Sequence, residues 1–134
     1  MDLSSINYLA VIAAALVSFV IGGVWFSPIM FANVWMKENG FKEEEMKNAN
    51  MGKIFGTSFV LALVISFNLA AFIGPEGNFV FGLFAGFAAG LGWVAMSIGI
   101  IYLFERRSFK LFLINAGYQV VTYTIMGGIL GVWK

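Results

Sequence analysis

The stretch that decides the fold is GVWFSPIMFANVWMKENG, residues 23–40, where a long apolar run meets the first cluster of charges. The run that leads into it, residues 6–26, contains no Asp, Glu, Lys or Arg. Trp25 and Phe26 close that run, and amphipathic aromatic rings prefer the depth of the lipid headgroups. Lys37 and the charges after it lie beyond that depth. The stretch therefore predicts the place where a transmembrane helix leaves the bilayer.

The composition of the whole chain also indicates a membrane protein. Of its 134 residues, 60% are hydrophobic and 11% are charged, whereas soluble domains carry about 25% charged residues. Four segments have no charged residue and reach the roughly 20 residues that a membrane-spanning helix needs; they cover 6–26, 54–73, 79–104 and 111–133. Short loops follow the second and third segments, so neighbouring helices run antiparallel. We therefore predict one domain, 1–134, that is an all-α integral membrane protein with four transmembrane helices in an antiparallel bundle.

Positive charges collect at one side of the predicted bundle. Loops rich in Lys and Arg resist translocation and stay cytoplasmic. Seven of the eight basic residues lie in the loops after the first and third spans: Lys37, Lys42, Lys47, Lys53, Arg106, Arg107 and Lys110. We therefore predict a multi-pass protein of the cell (inner) membrane, with a cytoplasmic segment over 27–53 and both termini on the non-cytoplasmic side. The leader MDLSSINYL has an acid but no basic residue, which argues against a cleaved signal peptide.

A short second helix is predicted directly after the first span. Ser27 followed by Pro28 is typical of an N-cap and the first helical residue, and Gly40 is typical of the residue that ends a helix. Phe31 and Trp35 share one face of this segment, which is too short to span the bilayer and too apolar to leave it. We therefore predict an interfacial amphipathic helix between the first and second spans. Its predicted anchors in the headgroup region are Trp25, Pro28, Phe31 and Trp35.

Parts of this pattern resemble a known family. The residues that carry the resemblance are Ile6-Asn7-Tyr8, Gly23-Val24-Trp25-Phe26-Ser27-Pro28, Phe31, Trp35-Met36 and Gly40, and later Leu113-Ile114-Asn115-Ala116-Gly117-Tyr118 with Met126-Gly127. The sequence is similar to the uncharacterised bacterial membrane-protein family known as domain of unknown function 1761. The resemblance implies the four-span topology. It implies no catalytic residues, because the family has no assigned activity.

Small residues recur along the predicted spans at the spacing of one helical face. In lipid, close approach of two helices depends on small side chains. The first span has Ala10, Ala14, Ser18 and Gly22, the second has Ser58, Ala62, Ser66 and Ala70, the third has Gly82, Gly86 and Gly90, and the fourth has Gly128 and Gly131. At about 100° per residue, a second small face of the third span, opposite the first, holds Ala88, Gly92, Ala95 and Gly99. Since both faces of the third and fourth spans suit protein contacts, we hypothesise a homo-oligomer.

The fourth span also carries a polar face. Asn115, Gln119 and Thr122 recur at intervals of four and three residues, with Tyr118 beside them. Asn68 on the second span is a candidate to join this set. Such uncharged side chains either form hydrogen bonds between helices or line a path for a neutral solute. The sequence leaves both interpretations open.

The residue types exclude several function classes. The chain has no His and no Cys, which excludes imidazole metal sites and Ser-His or Cys-His catalysis. No predicted span contains an ionisable carboxylate, Lys or Arg, which argues against a proton-coupled pump. We therefore predict no enzyme activity, no cofactor, no metal, and membrane lipids rather than nucleic acid as partners. The predicted function is an oligomeric channel or facilitative transporter for a small, unidentified solute. The alternative is a non-catalytic membrane module that binds a lipid, a small apolar ligand or a partner protein.

Overall fold

The computed structural model describes residues 3–133, which form helices joined by turns, with no strand in that range. A 3₁₀ turn, Leu3–Ser5, precedes the first long helix. The helices are α1 (Tyr8–Trp25), α2 (Ala32–Asn39), α3 (Glu43–Lys47), α4 (Met51–Ile73), α5 (Phe79–Ala89), α6 (Met96–Glu105) and α7 (Phe109–Val132). A π-helical turn, Gly90–Ala95, joins α5 to α6, so the three form one long helix.

Three of the described helices are long and apolar enough to cross a membrane. They are Tyr8–Trp25, Met51–Ile73 and Phe79–Glu105, with mean hydropathies of 2.2, 2.0 and 1.9. α7 is also long, with 24 residues, but polar side chains such as Asn115 and Gln119 make it less apolar than the other three. The prediction of an all-helical chain with apolar spans is therefore confirmed, whereas the apolar helices themselves support three spans and not four.

Each long helix begins at a polar side chain that caps it. Asn7, Asn50, Asn78 and Ser108 accept hydrogen bonds from backbone N–H groups in the first turns of α1, α4, α5 and α7. A cap of this kind contributes about 1 kcal/mol. It also satisfies amide groups that are costly to leave unpaired near lipid. These capping residues therefore determine where the long helices start.

The two basic loops meet at one end of the bundle. Arg107 Nη1, between α6 and α7, donates a hydrogen bond to Asn39 Oδ1 at 2.9 Å. Asn39 ends α2, which lies in the connection between α1 and α4. We call this end the basic end, and the end that carries the α4–α5 turn the opposite end.

α7 lies at the centre of the bundle, with α1, α4 and α5 packed around it. α1 and α4 also pack on each other: Ala10 and Ala14 are almost fully buried, and the buried Ser66 hydroxyl donates to the Val11 carbonyl oxygen at 2.8 Å. The central apolar cluster contains Ala10, Val11, Ala14, Leu69, Ile73, Ala85, Met126 and Leu130. The central position of α7 explains why this helix carries polar side chains, since much of its surface contacts protein.

Glycines bring α5 and α7 into backbone contact. A methyl group at Gly82 would overlap the Gly127 carbonyl oxygen and lie 3.1 Å from Gly131 Cα. A methyl group at Gly86 would overlap the Tyr123 carbonyl oxygen. Because these obstacles are backbone atoms, they cannot swing aside as a flexible side chain can. The two helices can lie this close only while glycine occupies these positions.

Three more glycines of the predicted packing stripes also face neighbouring helices of the same chain. A methyl group at Gly90 would lie 3.1 Å from the α7 backbone, and one at Gly128 would lie 2.9 Å from a leucine side chain of α5. A methyl group at Gly22 would lie 3.1 Å from the Tyr118 hydroxyl. These positions therefore serve contacts within one chain.

The π-helical turn rotates the second half of the third long helix. Up to Gly90, the residues that face α7 recur every four positions. Beyond the turn, the same face continues at Ala95, which is 2% exposed, and at Gly99, which lies against an aromatic ring of α7. The wide π turn accommodates this step of five residues. The prediction of two opposed small faces was wrong, because it assumed a constant rotation per residue.

This geometry removes much of the original basis for an oligomer. Of the predicted second face, Ala88 and Gly92 stay exposed. Gly128 and Gly131, which the sequence predicted to pack on another helix, contact α5 of the same chain. The homo-oligomer stays a prediction and needs support from another feature.

The helix after the first span starts later than predicted. The Ser27 hydroxyl donates a hydrogen bond to the Val24 carbonyl oxygen, three residues earlier, at 2.7 Å. It therefore helps to end α1 and does not cap a new helix. Residues 28–31 form turns, and α2 begins at Ala32. Gly40, at a φ of 72°, ends α2 at the predicted place. None of the α2 residues is buried, and its interfacial position stays a prediction.

Candidate functional site

A cavity with both polar and apolar lining residues opens between α1, α4 and α7, away from the ends of these helices. Its volume is about 270 Å³. Its polar lining residues are Ser18, Ser58, Tyr118, Gln119 and Thr122, and its apolar lining includes Phe19, Leu61, Ile65 and Met126. None of the lining residues carries a formal charge. A cavity of this size holds several water molecules or one small solute.

Thr122 is the least satisfied polar group in this cavity. The residue is 3% exposed, and its hydroxyl forms no hydrogen bond of standard geometry with residues 3–133. A helical threonine can bond to the carbonyl four residues earlier, as Thr124 does with Val120 at 2.7 Å, but Thr122 does not. The Tyr118 hydroxyl lies within reach and donates to the Ser18 carbonyl oxygen at 3.2 Å, so toward Thr122 it can only accept. A buried hydroxyl without a well-formed hydrogen bond costs roughly 1–3 kcal/mol, so the cavity favours a ligand or water that bonds to it.

Gln119 adds an amide to the same wall. Its side chain is half-buried and has no hydrogen-bond partner among the described residues. One turn of α7 separates it from Thr122, so the amide and the hydroxyl lie on the same side of the helix. Together they present donors and acceptors without charge. This set suits a small neutral solute that both donates and accepts hydrogen bonds.

Aromatic rings close the cavity toward the basic end. The Tyr118 ring lies 5.2 Å from the Phe26 ring and 6.5 Å from the Trp25 ring, measured between centroids. Trp25 stacks obliquely on Phe31 at 4.9 Å, and its indole N–H donates to the Ile114 carbonyl oxygen at 2.9 Å. Of the predicted interfacial anchors, Trp25 thus contacts α7, and Phe31 packs on the Trp25 ring.

The other two predicted anchors occupy the edge of this aromatic layer. The Trp35 ring lies 5.7 Å from the Phe26 ring and 5.3 Å from the Phe41 ring. Pro28 is exposed in the turn between α1 and α2. The aromatic layer therefore covers the basic end of the bundle, and its edge lies at the protein surface.

The apolar cluster closes the cavity toward the opposite end. Ala14 and Leu69 lie one turn closer to that end than the cavity residues Ser18 and Ile65, and Met126 forms the cavity wall on this side; each of the three is at most 5% exposed. Beyond the cluster, a second cavity of about 300 Å³ lies near the helix ends, and its lining includes Asn7 and Trp133. A layer of apolar side chains therefore separates the two cavities.

Two of the predicted polar residues lie outside the cavity. Asn115 Nδ2 donates to the Tyr102 hydroxyl of α6 at 2.6 Å, so this residue makes the interhelical hydrogen bond that one interpretation predicted. Asn68 is exposed in a groove of about 520 Å³ between α4 and α5, and Tyr123 and Trp93 also line that groove. The structure thus joins Tyr118, Gln119 and Thr122 and separates them from the other two.

The sequence interpretation missed two residues of the site. Ser18 and Ser58 belong to small stripes on α1 and α4 and were treated as packing positions. Their hydroxyls were the available signal, since serine in a stripe of alanine and glycine adds a polar group that packing does not need. Within the described part of the chain, no group of three acidic residues is placed to hold a metal ion.

Comparison with known proteins gives the family. The sequence model of a family described as "Protein of unknown function (DUF1761)" matches residues 9–131. No curated protein and no solved structure matches the chain. The match covers α1 to α7 almost entirely, including the cavity and the glycine contact. The chain therefore belongs to the DUF1761 family of proteins of unknown function.

Proposed function

We propose that α7 is a fourth transmembrane helix. At 24 residues it reaches about 36 Å, against a hydrocarbon core of about 30 Å. Its exposed apolar residues include Phe109, Leu113, Val121, Ile125 and Val132, while Asn115, Tyr118 and Thr122 bond to or lie against other helices. A central helix meets less lipid than a peripheral one, so it tolerates lower hydropathy.

We also propose that the basic end is cytoplasmic, with both termini on the other side of the membrane. The meeting of the two basic loops at Arg107 and Asn39 supports this orientation. The chain has no Cys, so single cysteines report topology cleanly. A membrane-impermeant maleimide applied to intact cells should label Glu76→Cys in the α4–α5 turn and leave Lys42→Cys unlabelled. The reverse pattern would contradict the orientation.

We infer that the protein is a facilitative transporter for a small neutral solute, and that the cavity is the place where the solute binds. The observation that carries this proposal is the buried Thr122 hydroxyl, which faces a cavity without charge and forms no hydrogen bond of standard geometry with residues 3–133. The neighbouring Gln119 amide adds a second free group. Polyols and small amides have the matching chemistry, since they donate and accept hydrogen bonds and carry no charge.

The layers above and below the cavity favour a transporter over a channel through a single chain. A channel needs a continuous path, whereas the apolar cluster around Met126 and the aromatic layer around Trp25 close both directions. A transporter with a central site opens one layer at a time. The separate polar space near Asn7 then serves as the outer vestibule.

Flux into proteoliposomes tests this proposal. Liposomes with the purified protein should swell faster in glycerol or urea than empty liposomes, and Thr122→Val should slow the swelling. Thr124→Val is the matched control, because it makes the same change on the same helix where the hydroxyl bonds within its own backbone. Swelling no faster than that of empty liposomes for every small polyol and amide tried would refute transport.

A second candidate function is a non-catalytic module that binds a lipid, a small apolar ligand, a partner protein or a second copy of the chain. The groove between α4 and α5 favours it, because the exposed Asn68 amide has no hydrogen-bond partner among the described residues, and polar side chains promote helix association in lipid. Mass measurement of the protein in lipid nanodiscs tests the homo-oligomer. A dimer that Asn68→Leu dissociates would support it, and a monomer at all protein-to-lipid ratios would contradict it.

A further inference from the structure

A second groove opens between α6 and α7, independent of the proposed transport site. α5 and the π turn pack closely on α7, but α6 contacts α7 only sparsely. The widened turn at Gly90–Ala95 thus precedes a divergence of the two helices. The groove that results has a volume of about 400 Å³. Its apolar lining is formed by Met96, Gly99, Ile100, Leu103, Phe109 and Phe112.

The groove is open to the surroundings and strongly apolar. Leu103 is 80% exposed and Phe109 is 70% exposed, so both present most of their side chains to the space around the protein. The groove follows α6 for roughly two turns, which corresponds to about 12 Å along the helix axis. This length suits part of one acyl chain lying against the protein.

Positive charges surround the basic end of this groove. Arg106, Arg107 and Lys110 lie within five consecutive residues, directly after one acid, Glu105. Arg107 lines the groove itself. The other two basic side chains are exposed and form no hydrogen bond or ion pair with the described residues. Within residues 105–110, three basic residues therefore outnumber one acid.

Arg107 is held in place at the mouth of the groove. Its Nε donates to Glu105 Oε1 at 2.6 Å, its Nη1 donates to Asn39 Oδ1 at 2.9 Å, and its guanidinium lies 5.6 Å from the centre of the Tyr102 ring. The hydrogen bond to Glu105 raises the pKa of Arg107, although a guanidinium is charged at neutral pH in any case. An oriented cation beside an apolar groove matches a molecule with an anionic head and a hydrocarbon tail.

We propose that the groove between α6 and α7 is a binding site for an anionic phospholipid of the leaflet at the basic end. One acyl chain lies along Leu103 and Phe109, and the phosphate group bonds to Arg106 and Lys110, with Arg107 as the fixed charge between them. The combination of groove and charge indicates which ligand binds. An apolar ligand would leave the cations unpaired, and a free phosphate would leave the apolar groove empty.

Native mass spectrometry tests this site. The protein is extracted from vesicles of equal parts phosphatidylglycerol and phosphatidylcholine, and the retained lipids are counted. We expect a preference for phosphatidylglycerol that falls about fivefold for each basic residue removed at the site, and therefore most in the double variant R106Q/K110Q. The matched control is K42Q/K47Q, which removes the same charge from the other basic loop and should keep the preference.

Three results would overturn the proposal. The first is equal loss of preference in both double variants, which would indicate diffuse attraction. The second is displacement of the lipid by millimolar inorganic phosphate, which would indicate a free-anion site. The third concerns Leu103→Trp, which fills the groove at an exposed position and should reduce retention of both lipids. Unchanged retention in that variant would show that no acyl chain occupies the groove.

Discussion

The glycine contact between α5 and α7 predicts a large effect from one methyl group. In Gly86→Ala, the added carbon would overlap the Tyr123 carbonyl oxygen, lie 2.7 Å from the Tyr123 carbonyl carbon and lie 3.0 Å from Thr124 Cα. All three obstacles are backbone atoms of α7. The substitution therefore forces the two helices apart and cannot be absorbed by a side-chain rotation.

The expected magnitude combines two opposing effects. Extra volume in a close-packed contact costs about 1–3 kcal/mol, and a gap of roughly 0.5–1 Å forfeits a quarter to a half of each dispersion contact. Alanine, on the other hand, favours the helix by up to about 1 kcal/mol over glycine. Gly56→Ala on α4 has the second effect alone, because the added methyl would meet nothing within 4 Å apart from its chain neighbours and the nearby backbone of its own helix. The difference between the two variants should therefore be about 1–3 kcal/mol, which is the packing cost by itself.

The assay is reversible unfolding of both variants in lipid bicelles, followed by circular dichroism and by a probe of α5–α7 contact. Gly86→Ala should unfold more easily than the wild type, and Gly56→Ala should unfold at the same point or later. Equal stability of the two variants would refute the close contact between α5 and α7, because the helix-propensity effect is common to both.

Three further predictions concern single hydrogen bonds between helices, each measured by the same unfolding assay. Tyr102→Phe and Asn115→Leu remove the same bond, so the double variant should lose less than the sum of the two, with a coupling of about 0.6 and at most about 2 kcal/mol; full additivity would show that the bond is absent. Ser66→Ala removes the buried bond from α4 to an α1 carbonyl and should cost about 1 kcal/mol, whereas no change would mean that α1 and α4 do not meet there. Trp25→Phe keeps the ring but loses the bond to the Ile114 carbonyl, and should cost about 1 kcal/mol; a variant as stable as the wild type would place the indole in the headgroups.

The long helices could be predicted from the sequence because the absence of charge marks them directly. The starts were less accurate, and the error has a physical cause. The predicted second and fourth spans started after Lys53 and Lys110, but Asn50 and Ser108 cap the helices, which begin earlier. A lysine in the first turn does not break a helix at the edge of a bilayer, because its long side chain reaches the headgroups.

The π turn was not predictable from composition. It lies within a uniform apolar run, and a shift of one residue leaves no trace in the overall hydropathy. The step of five residues from Gly90 to Ala95, followed by four to Gly99, is its signal in the sequence. Small residues at these positions are common in packed membrane helices, so the sequence alone does not indicate a π turn. The structure does, because it shows that all three positions lie on the side of α7.

The candidate site was predictable in part. The helical period placed Tyr118, Gln119 and Thr122 on one face, and they line one cavity. The period does not say which helix lies opposite each side chain, and this depends on how the bundle assembles. That is why Asn68 lies in another groove and Asn115 bonds to α6.

The central claim is that a polar solute reaches the cavity beside Thr122, and substituted cysteines test it most directly. Gln119→Cys places a thiol on the cavity wall, and Ile125→Cys places one on the exposed side of the same helix, where the native residue is 39% exposed. A small hydrophilic methanethiosulfonate reacts with the thiolate, which forms only where water can stabilise it. The account predicts that Gln119→Cys reacts in membranes, that excess transported solute slows this reaction, and that Ile125→Cys stays inert in lipid. If Gln119→Cys is as inert as Ile125→Cys, no polar solute enters the cavity, and the proposed function is contradicted.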